Sequence, residues 1–187
     1  MTRFGIIGTG RISDWVVDDA LEDGRFSVSA VCSRNIEKAH DFIKRHGLEG
    51  AKAYSSVKDM VADSLLDAVY IGTPNQTHLE YSRICMEAGK HVLCEKPLAV
   101  SADEGEEMAR IAKKNGVLLM EAMISTLNPN FKAMRAMIPE CGKIHTCHAV
   151  FCQYSTRYEA LKKGVIASSF KSGTGGAIRD IGIYTIY

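Results

Sequence analysis

An apolar run from Arg3 to Gly8 turns through Gly8-Thr9-Gly10 and passes directly into an amphipathic segment beginning Arg11-Ile12-Ser13-Asp14-Trp15. A strand that ends on a glycine turn and feeds a helix opens a βαβ unit, and the crossover makes the next strand parallel to the first. Gly8 permits the tight turn. Gly10 lets backbone N–H groups approach a pyrophosphate, and the helix N-terminus behind it offers orphan donors and the positive end of a dipole. Gly8, Thr9, Gly10, Arg11 and Ile12 are therefore candidate phosphate-binding residues. Ser13 stands where a glycine or alanine would complete the fingerprint, so looser helix packing is expected there.

The alternation continues. A helix is expected over 11–21, with Ile12, Trp15, Val16 and Ala20 on one face. A strand follows over 26–32, with Phe26, Val28, Ala30 and Cys32 on one side. Then come a helix over 36–46, a short strand at 52–54, a short helix over 57–62 and a strand over 67–71. Thr77 with Glu80, and Ser101 with Glu104, read as capping boxes opening two further helices. Between and after them, 91–94 and 117–120 read as strands. Strands that alternate with helices need crossovers covering both faces, so residues 1–122 are expected to form a doubly wound parallel α/β sheet of the Rossmann kind. The pattern changes in residues 123–187. Asn128-Pro129 opens a helix with an apolar face at Phe131, Met134, Met137 and Ile138. Residues 143–154 alternate like a long strand, and a glycine cluster leads into a helix over 177–187. One long strand cannot form a sheet by itself, so this part is expected to be the beginning of a second, α+β domain.

Composition narrows the function. A net charge of +1 gives no argument for nucleic acid or a membrane surface. No apolar stretch is long enough to span a bilayer, and Gly8-Thr9-Gly10-Arg11 interrupts any signal-peptide layout. The six cysteines show no CxxC spacing, which fits free thiols in the cytoplasm. Cys147, His148 and Cys152 read as ordinary strand residues, and no metal site is expected.

Ligands of a doubly wound sheet sit at the carboxyl ends of its strands. Four loops there carry chemistry. Ser33-Arg34 follows the second strand without an acid to bind two ribose hydroxyls; Arg34, with Lys38 one helical turn on, suits a 2′-phosphate. An arginine stacked on adenine also tolerates NAD, so NADP is the expected cofactor with NAD possible. Thr73-Pro74-Asn75 and His78 border the nicotinamide ribose in this reading. Glu95-Lys96-Pro97 puts a lysine beside an acid at the mouth of the sheet, and Lys96-Pro97 is a candidate cis bond. Asp180 and Tyr184, four apart on the last helix, fall on one face.

Taken together, these stretches resemble the Gfo/Idh/MocA oxidoreductases. The residues that carry the resemblance are 5–12, 30–34, Gly72-Thr73-Pro74-Asn75 with His78, Glu95-Lys96-Pro97, and Gly175-Gly176-Ala177-Ile178-Arg179-Asp180-Ile181-Gly182-Ile183-Tyr184. The resemblance implies an N-terminal dinucleotide domain and a C-terminal α+β domain with an open sheet that makes a homo-oligomer. Members are longer, so the chain is expected to be the N-terminal portion, binding nucleotide without appreciable turnover. The resemblance also implies that Lys96 contacts the reacting oxygen of a small-molecule substrate. Asp180 matches a family aspartate, and Tyr184, where many members have histidine, is similar to the dihydrodiol dehydrogenase branch. The implied reaction is hydride exchange between nicotinamide and a secondary alcohol or ketone of a sugar, polyol or dihydrodiol. A non-enzymatic NADP-binding module and an NAD-assisted glycosidase are the alternatives.

Overall fold

The computed structural model describes residues 1–63, 65–166 and 176–186. The chain divides into two compact units, Met1–Ala122 and Met123–Tyr187.

The first unit runs β1 (Thr2–Ile7), α1 (Arg11–Asp23), β2 (Phe26–Cys32), α2 (Ile36–Arg45), β3 (Lys52–Tyr54), α3 (Val57–Val61), β4 (Ala68–Ile71), α4 (His78–Glu87), β5 (His91–Cys94), α5 (Ala102–Asn115) and β6 (Leu119–Glu121). All strand pairings are parallel, in the order β3-β2-β1-β4-β5-β6. The order reverses between β1 and β4, which is the switch point of a doubly wound sheet. Alternate strand residues enter two separate cores. Ile7, Ala30, Cys32, Val69 and Ile71 pack on one face, and Ile6, Val31 and Tyr70 on the other. β4 is buried at all four residues, as a central strand covered on both sides must be. Each fully buried aliphatic side chain there is worth about 1.5–3 kcal/mol.

Two expectations about faces are corrected. In β2 the pairing with β1 steps from Phe4↔Val28 to Gly5↔Ala30, so Ser29 is an extra, bulged residue. The bulge turns Val28 into the core of Ile6 and Val31, while Ala30 and Cys32 stay in the other. In α1 the fully buried positions are Ser13 and Val17, and Trp15 is 57% exposed. The helix is therefore rotated by about one residue from the expected face.

Local signals explain the ends. Ser101 caps α5 by accepting from the Glu104 N–H, and Glu104 reaches back to the Val100 N–H. The Thr77–Glu80 box does not form: Thr77 makes no side-chain cap, because its hydroxyl bonds the Pro74 carbonyl and the Thr73 hydroxyl instead. At the amino edge of the sheet, Arg3 grips Asp67 through Nε (3.0 Å) and Nη2 (2.7 Å). The buried Lys90 ammonium donates to the Asp63 and Leu66 carbonyls at 2.9 and 2.8 Å.

In the second unit α6 spans Pro129–Met137, capped by Asn128 with proline at its first turn as expected, and α7 spans Tyr158–Lys162. Its apolar face is not buried: Met134 and Met137 are exposed. Residues 143–154 form no strand, since a strand exists only where a second ladder takes its N–H and C=O groups. The expected last helix is a π-helical turn, Ile178–Gly182, followed by α-helical Ile183–Ile186. Gly173, Gly175 and Tyr187 lie outside the described residues.

Candidate functional site

The carboxyl ends of β1, β2, β3 and β4 border one cleft of about 580 Å³. Its floor is the switch point. Gly8 has φ +98°, and a Cβ there would lie 2.5 Å from the Gly72 carbonyl oxygen. A Cβ on Gly72 would in turn lie 2.6 Å from Ser13 Oγ and 2.8 Å from Tyr70 Cε1. The β1–α1 turn, the end of β4 and the first turn of α1 thus meet at a three-way contact that only glycines permit at two of its corners. Ser13 is fully buried in it, so the expected looseness is absent: the bare Cα of Gly72 leaves the room a third fingerprint glycine would otherwise supply.

Gly10 is different. Its backbone is extended (φ −84°, ψ 170°), and a Cβ on it would meet no atom within 4 Å. The space above it belongs to the cleft, and α1 starts there without a side-chain cap. A helix N-terminus with uncapped donors beside an open volume has the donors and the room to hold a pyrophosphate.

Ser33, Arg34 and Lys38 line the far side of the cleft. Asn35 caps α2 by accepting from Glu37 N–H at 3.0 Å, which fixes the turn that projects the exposed Arg34. Ser55 and Ser56 of the β3–α3 loop and Val57 and Lys58 at the start of α3 face the same volume, and α4 adds Glu80, Tyr81 and Ile84. The sequence reading missed these residues. The carboxyl-end rule would have found the β3 loop once β3 was placed beside β2 in the sheet.

Thr73 and Pro74 line the cleft, whereas Arg11, Ile12, Asn75, His78, Glu95 and Lys96 do not. His78 is completely buried. Its Nδ1 lies 3.0 Å from the Pro97 carbonyl and its Nε2 3.0 Å from the Thr73 carbonyl. The imidazole cannot touch a ligand; it ties the loop after β4 to the loop after β5. Glu95 is half-buried and held in place, accepting from the Tyr70 hydroxyl at 2.8 Å and from Lys96 N–H at 3.1 Å. Burial, reinforced by Glu95's charge, pushes the Tyr70 pKa far up, so the phenol remains a donor. Glu121 accepts from Leu98 N–H at 2.7 Å and fixes the other end of the same loop. The Lys96–Pro97 peptide is cis. Lys96 follows β5, two strands from β1, so it stands at the same edge of the sheet as Gly8, about 10 Å along it at ordinary strand spacing.

Burial pushes the Cys94 thiol up to about 12 and the Cys32 thiol up to about 11, which leaves neither as a nucleophile at neutral pH.

In the second unit, Asp180 and Tyr184 bracket the junction of the π-turn with the α-helical residues. The Asp180 N–H donates to the Gly176 carbonyl at 2.9 Å. The Tyr184 ring stacks on Phe151, centroids 5.0 Å apart and planes 19° from parallel.

Residues 2–123 match the model of the GFO_IDH_MocA oxidoreductase family, NAD-binding Rossmann fold. The chain belongs to this family. It is 43% identical over 188 residues to the scyllo-inositol 2-dehydrogenase (NADP+) IolU of Bacillus subtilis, covering all of this chain and 57% of IolU. It is 34% identical to trans-1,2-dihydrobenzene-1,2-diol dehydrogenase of Xenopus laevis, covering 99% and 54%. The chain thus spans about half the length of the curated relatives it matches. Among solved structures, KijD10, a 3-ketoreductase from Actinomadura kijaniata in complex with NADP and TDP-benzene, superposes with a TM-score of 0.69. The two are 29% identical, over 74% of this chain and 42% of KijD10. The WlbA dehydrogenase from Bordetella pertussis, in complex with NADH and UDP-GlcNAcA, gives a TM-score of 0.71 at 28% identity, over 77% of this chain and 45% of WlbA. The doubly wound NAD(P)-binding fold expected of residues 1–122 is therefore the fold of this family. No helix among the described residues is long and apolar enough to cross a membrane.

Proposed function

We propose that the chain carries the NADP-binding half of an oxidoreductase that exchanges a hydride between nicotinamide and a secondary alcohol or ketone of a sugar, polyol or dihydrodiol. The observation that carries this reading is the shared edge of the sheet. The pyrophosphate cradle at Gly8–Gly10, the two cations Arg34 and Lys38 at the end of β2, and the lysine after β5 all stand there. The absence of a carboxylate among Ser33, Arg34 and Lys38 supports NADP over NAD, because a 2′-phosphate is welcomed where a ribose diol would find no acceptor.

The bound nicotinamide supplies or accepts the hydride. The protein's own work is to place the substrate and to move one proton. In oxidation the alcohol carbon gives up hydride while the hydroxyl proton passes to a base. Tyr184 and Lys96 divide two roles: one carries that proton, the other polarises the oxygen. Asp180 orients the substrate hydroxyl or the ammonium. His78, Glu95 and Glu121 hold the loops that present Thr73 and Lys96. The protein works in the cytoplasm, which its free cysteines support, and as a homo-oligomer through the second domain, which the exposed Val150, Phe151 and Tyr154 support.

The test is Lys96→Ala in the full-length protein, assayed by NADP+ reduction across polyols, sugars and a trans-dihydrodiol. Turnover is expected to fall by about a hundred- to ten-thousand-fold while NADPH affinity stays within about threefold. Unchanged turnover would remove Lys96 from the chemistry.

A further inference from the structure

Asp14 occupies the first turn of α1, the helix whose N-terminus faces the pyrophosphate cradle. In the empty helix a carboxylate there is favourable to the dipole, but beside a bound dianion it is repulsive. The structure answers this from the end of α2. Arg45 donates from both Nε (3.1 Å) and Nη2 to Asp14 Oδ1. His46 places Nε2 2.9 Å from the same oxygen and Nδ1 3.0 Å from Asp18 Oδ1. Both basic side chains are braced on one buried ring: the Arg45 guanidinium carbon lies 4.6 Å from the Phe42 centroid, and the His46 ring 4.5 Å from it. Burial pushes the Asp14 pKa up, but hydrogen bonds from His46 and Arg45 outweigh it and hold the pKa below the usual carboxylate value. Asp14 is thus an ionised carboxylate whose charge is covered.

Arg45 does a second thing. Its Nη2 also lies 3.4 Å from the Thr9 carbonyl oxygen, inside the glycine turn. The Thr9–Gly10 peptide is planar and trans, so pinning that oxygen toward Arg45 turns the Gly10 N–H away from it.

We propose that Arg45 is a positioning residue for the dinucleotide pyrophosphate: it neutralises Asp14 and fixes the orientation of the Thr9–Gly10 peptide. It touches no phosphate itself. The inference rests on the reading of Gly8–Gly10 as the pyrophosphate cradle and extends that site to a residue one helix away.

The experiment is a double-mutant cycle read by NADPH fluorescence titration, with melting temperatures measured alongside. Arg45→Met exposes the Asp14 charge and is expected to raise the NADPH Kd about fivefold or more. Adding Asp14→Asn removes the repulsion and is expected to recover part of the lost affinity, because the charge effects at the two positions are coupled while the Thr9 contact stays lost. Asp14→Asn alone binds at least as tightly as wild type. The melting temperatures separate this from structural damage, because leaving Asp14 without Arg45 also destabilises the fold: an affinity loss and rescue seen only where the melting temperature falls below the assay temperature overturns the proposal. Wild-type affinity in Arg45→Met, or no rescue in the double variant, overturns the proposal. If Arg45→Met does not fold at the assay temperature, Asp14→Asn decides: weaker binding than wild type overturns it. A wild-type protein that binds no NADPH would overturn the reading of the cleft itself, a result distinct from wild-type binding that Arg45→Met leaves intact.

Discussion

Gly8 and Gly10 are two residues apart in one turn, yet a methyl group at each should damage different properties. At Gly8 an alanine inherits φ +98° and a Cβ 2.5 Å from a backbone oxygen and 2.9 Å from a backbone carbon of Gly72. Neither obstacle can swing aside as a side chain would. The left-handed conformation costs about 1–2 kcal/mol for a residue with a Cβ, and forcing β1 and β4 apart costs about 1–3 kcal/mol more. Gly8→Ala should therefore lower the unfolding free energy by about 2–5 kcal/mol, a large part of the stability of a domain this size. At Gly10 the backbone is one that alanine adopts freely, and no protein atom lies within 4 Å of the new Cβ. Gly10→Ala should leave unfolding within about 0.5 kcal/mol of wild type. Its methyl group instead occupies the cradle, so NADPH binding should weaken about tenfold or more, since lost backbone contacts to phosphate are charge-assisted hydrogen bonds. Urea unfolding without nucleotide gives the first quantity and fluorescence titration the second. A Gly8→Ala protein as stable as wild type would refute the three-way contact. A Gly10→Ala protein with wild-type affinity would refute the phosphate cradle.

Two further outcomes follow from polar contacts. His78→Phe keeps the ring but removes the two nitrogens that lie 3.0 Å from the Thr73 and Pro97 carbonyls, so it should cost about 1–3 kcal/mol for the carbonyl left without its donor. It should also raise the KM for cofactor by loosening both loops; unchanged stability would show that water or a loop shift replaces the ring. Hydrogen bonds from Arg3 hold the Asp67 carboxyl below its ordinary value, so its contribution to stability is present above about pH 4 and fades as pH falls further. The stability gap between wild type and Asp67→Asn should then narrow in acid, and narrow again in 1 M salt because the pair is partly exposed; a gap that is constant with pH would contradict it.

The sheet was readable because its signals are local. A glycine turn after an apolar run, capping residues and alternation of elements each need only a few neighbours, and they placed β1 to β6 within a residue or two. What escaped is what depends on a partner. Ser29 is an ordinary strand residue until β1 is laid beside β2, and only then does its bulge turn Val28 over. Ser13 reads as a flaw in the fingerprint until Gly72 is seen to vacate the space it fills. His78, polar and at a helix start, looks like a ligand-facing residue, yet its two carbonyl partners lie 5 and 19 residues away along the chain. Residues 143–154 alternate as a strand would, but alternation describes a face and cannot supply the second ladder a strand needs. The Ser55–Lys58 edge of the cleft was invisible because this stretch carries no motif, only a position next to β2.

The central claim is that the cleft beside β2 receives a 2′-phosphorylated dinucleotide on Arg34 and Lys38. Titrating wild type and Arg34→Ala with NADPH and with NADH, at one fixed salt concentration, tests it most directly. Wild type should bind NADPH at least about tenfold more tightly, and Arg34→Ala should lose most of that preference by weakening NADPH far more than NADH. Equal affinity of wild type for the two nucleotides, or a preference that survives Arg34→Ala, would contradict the account.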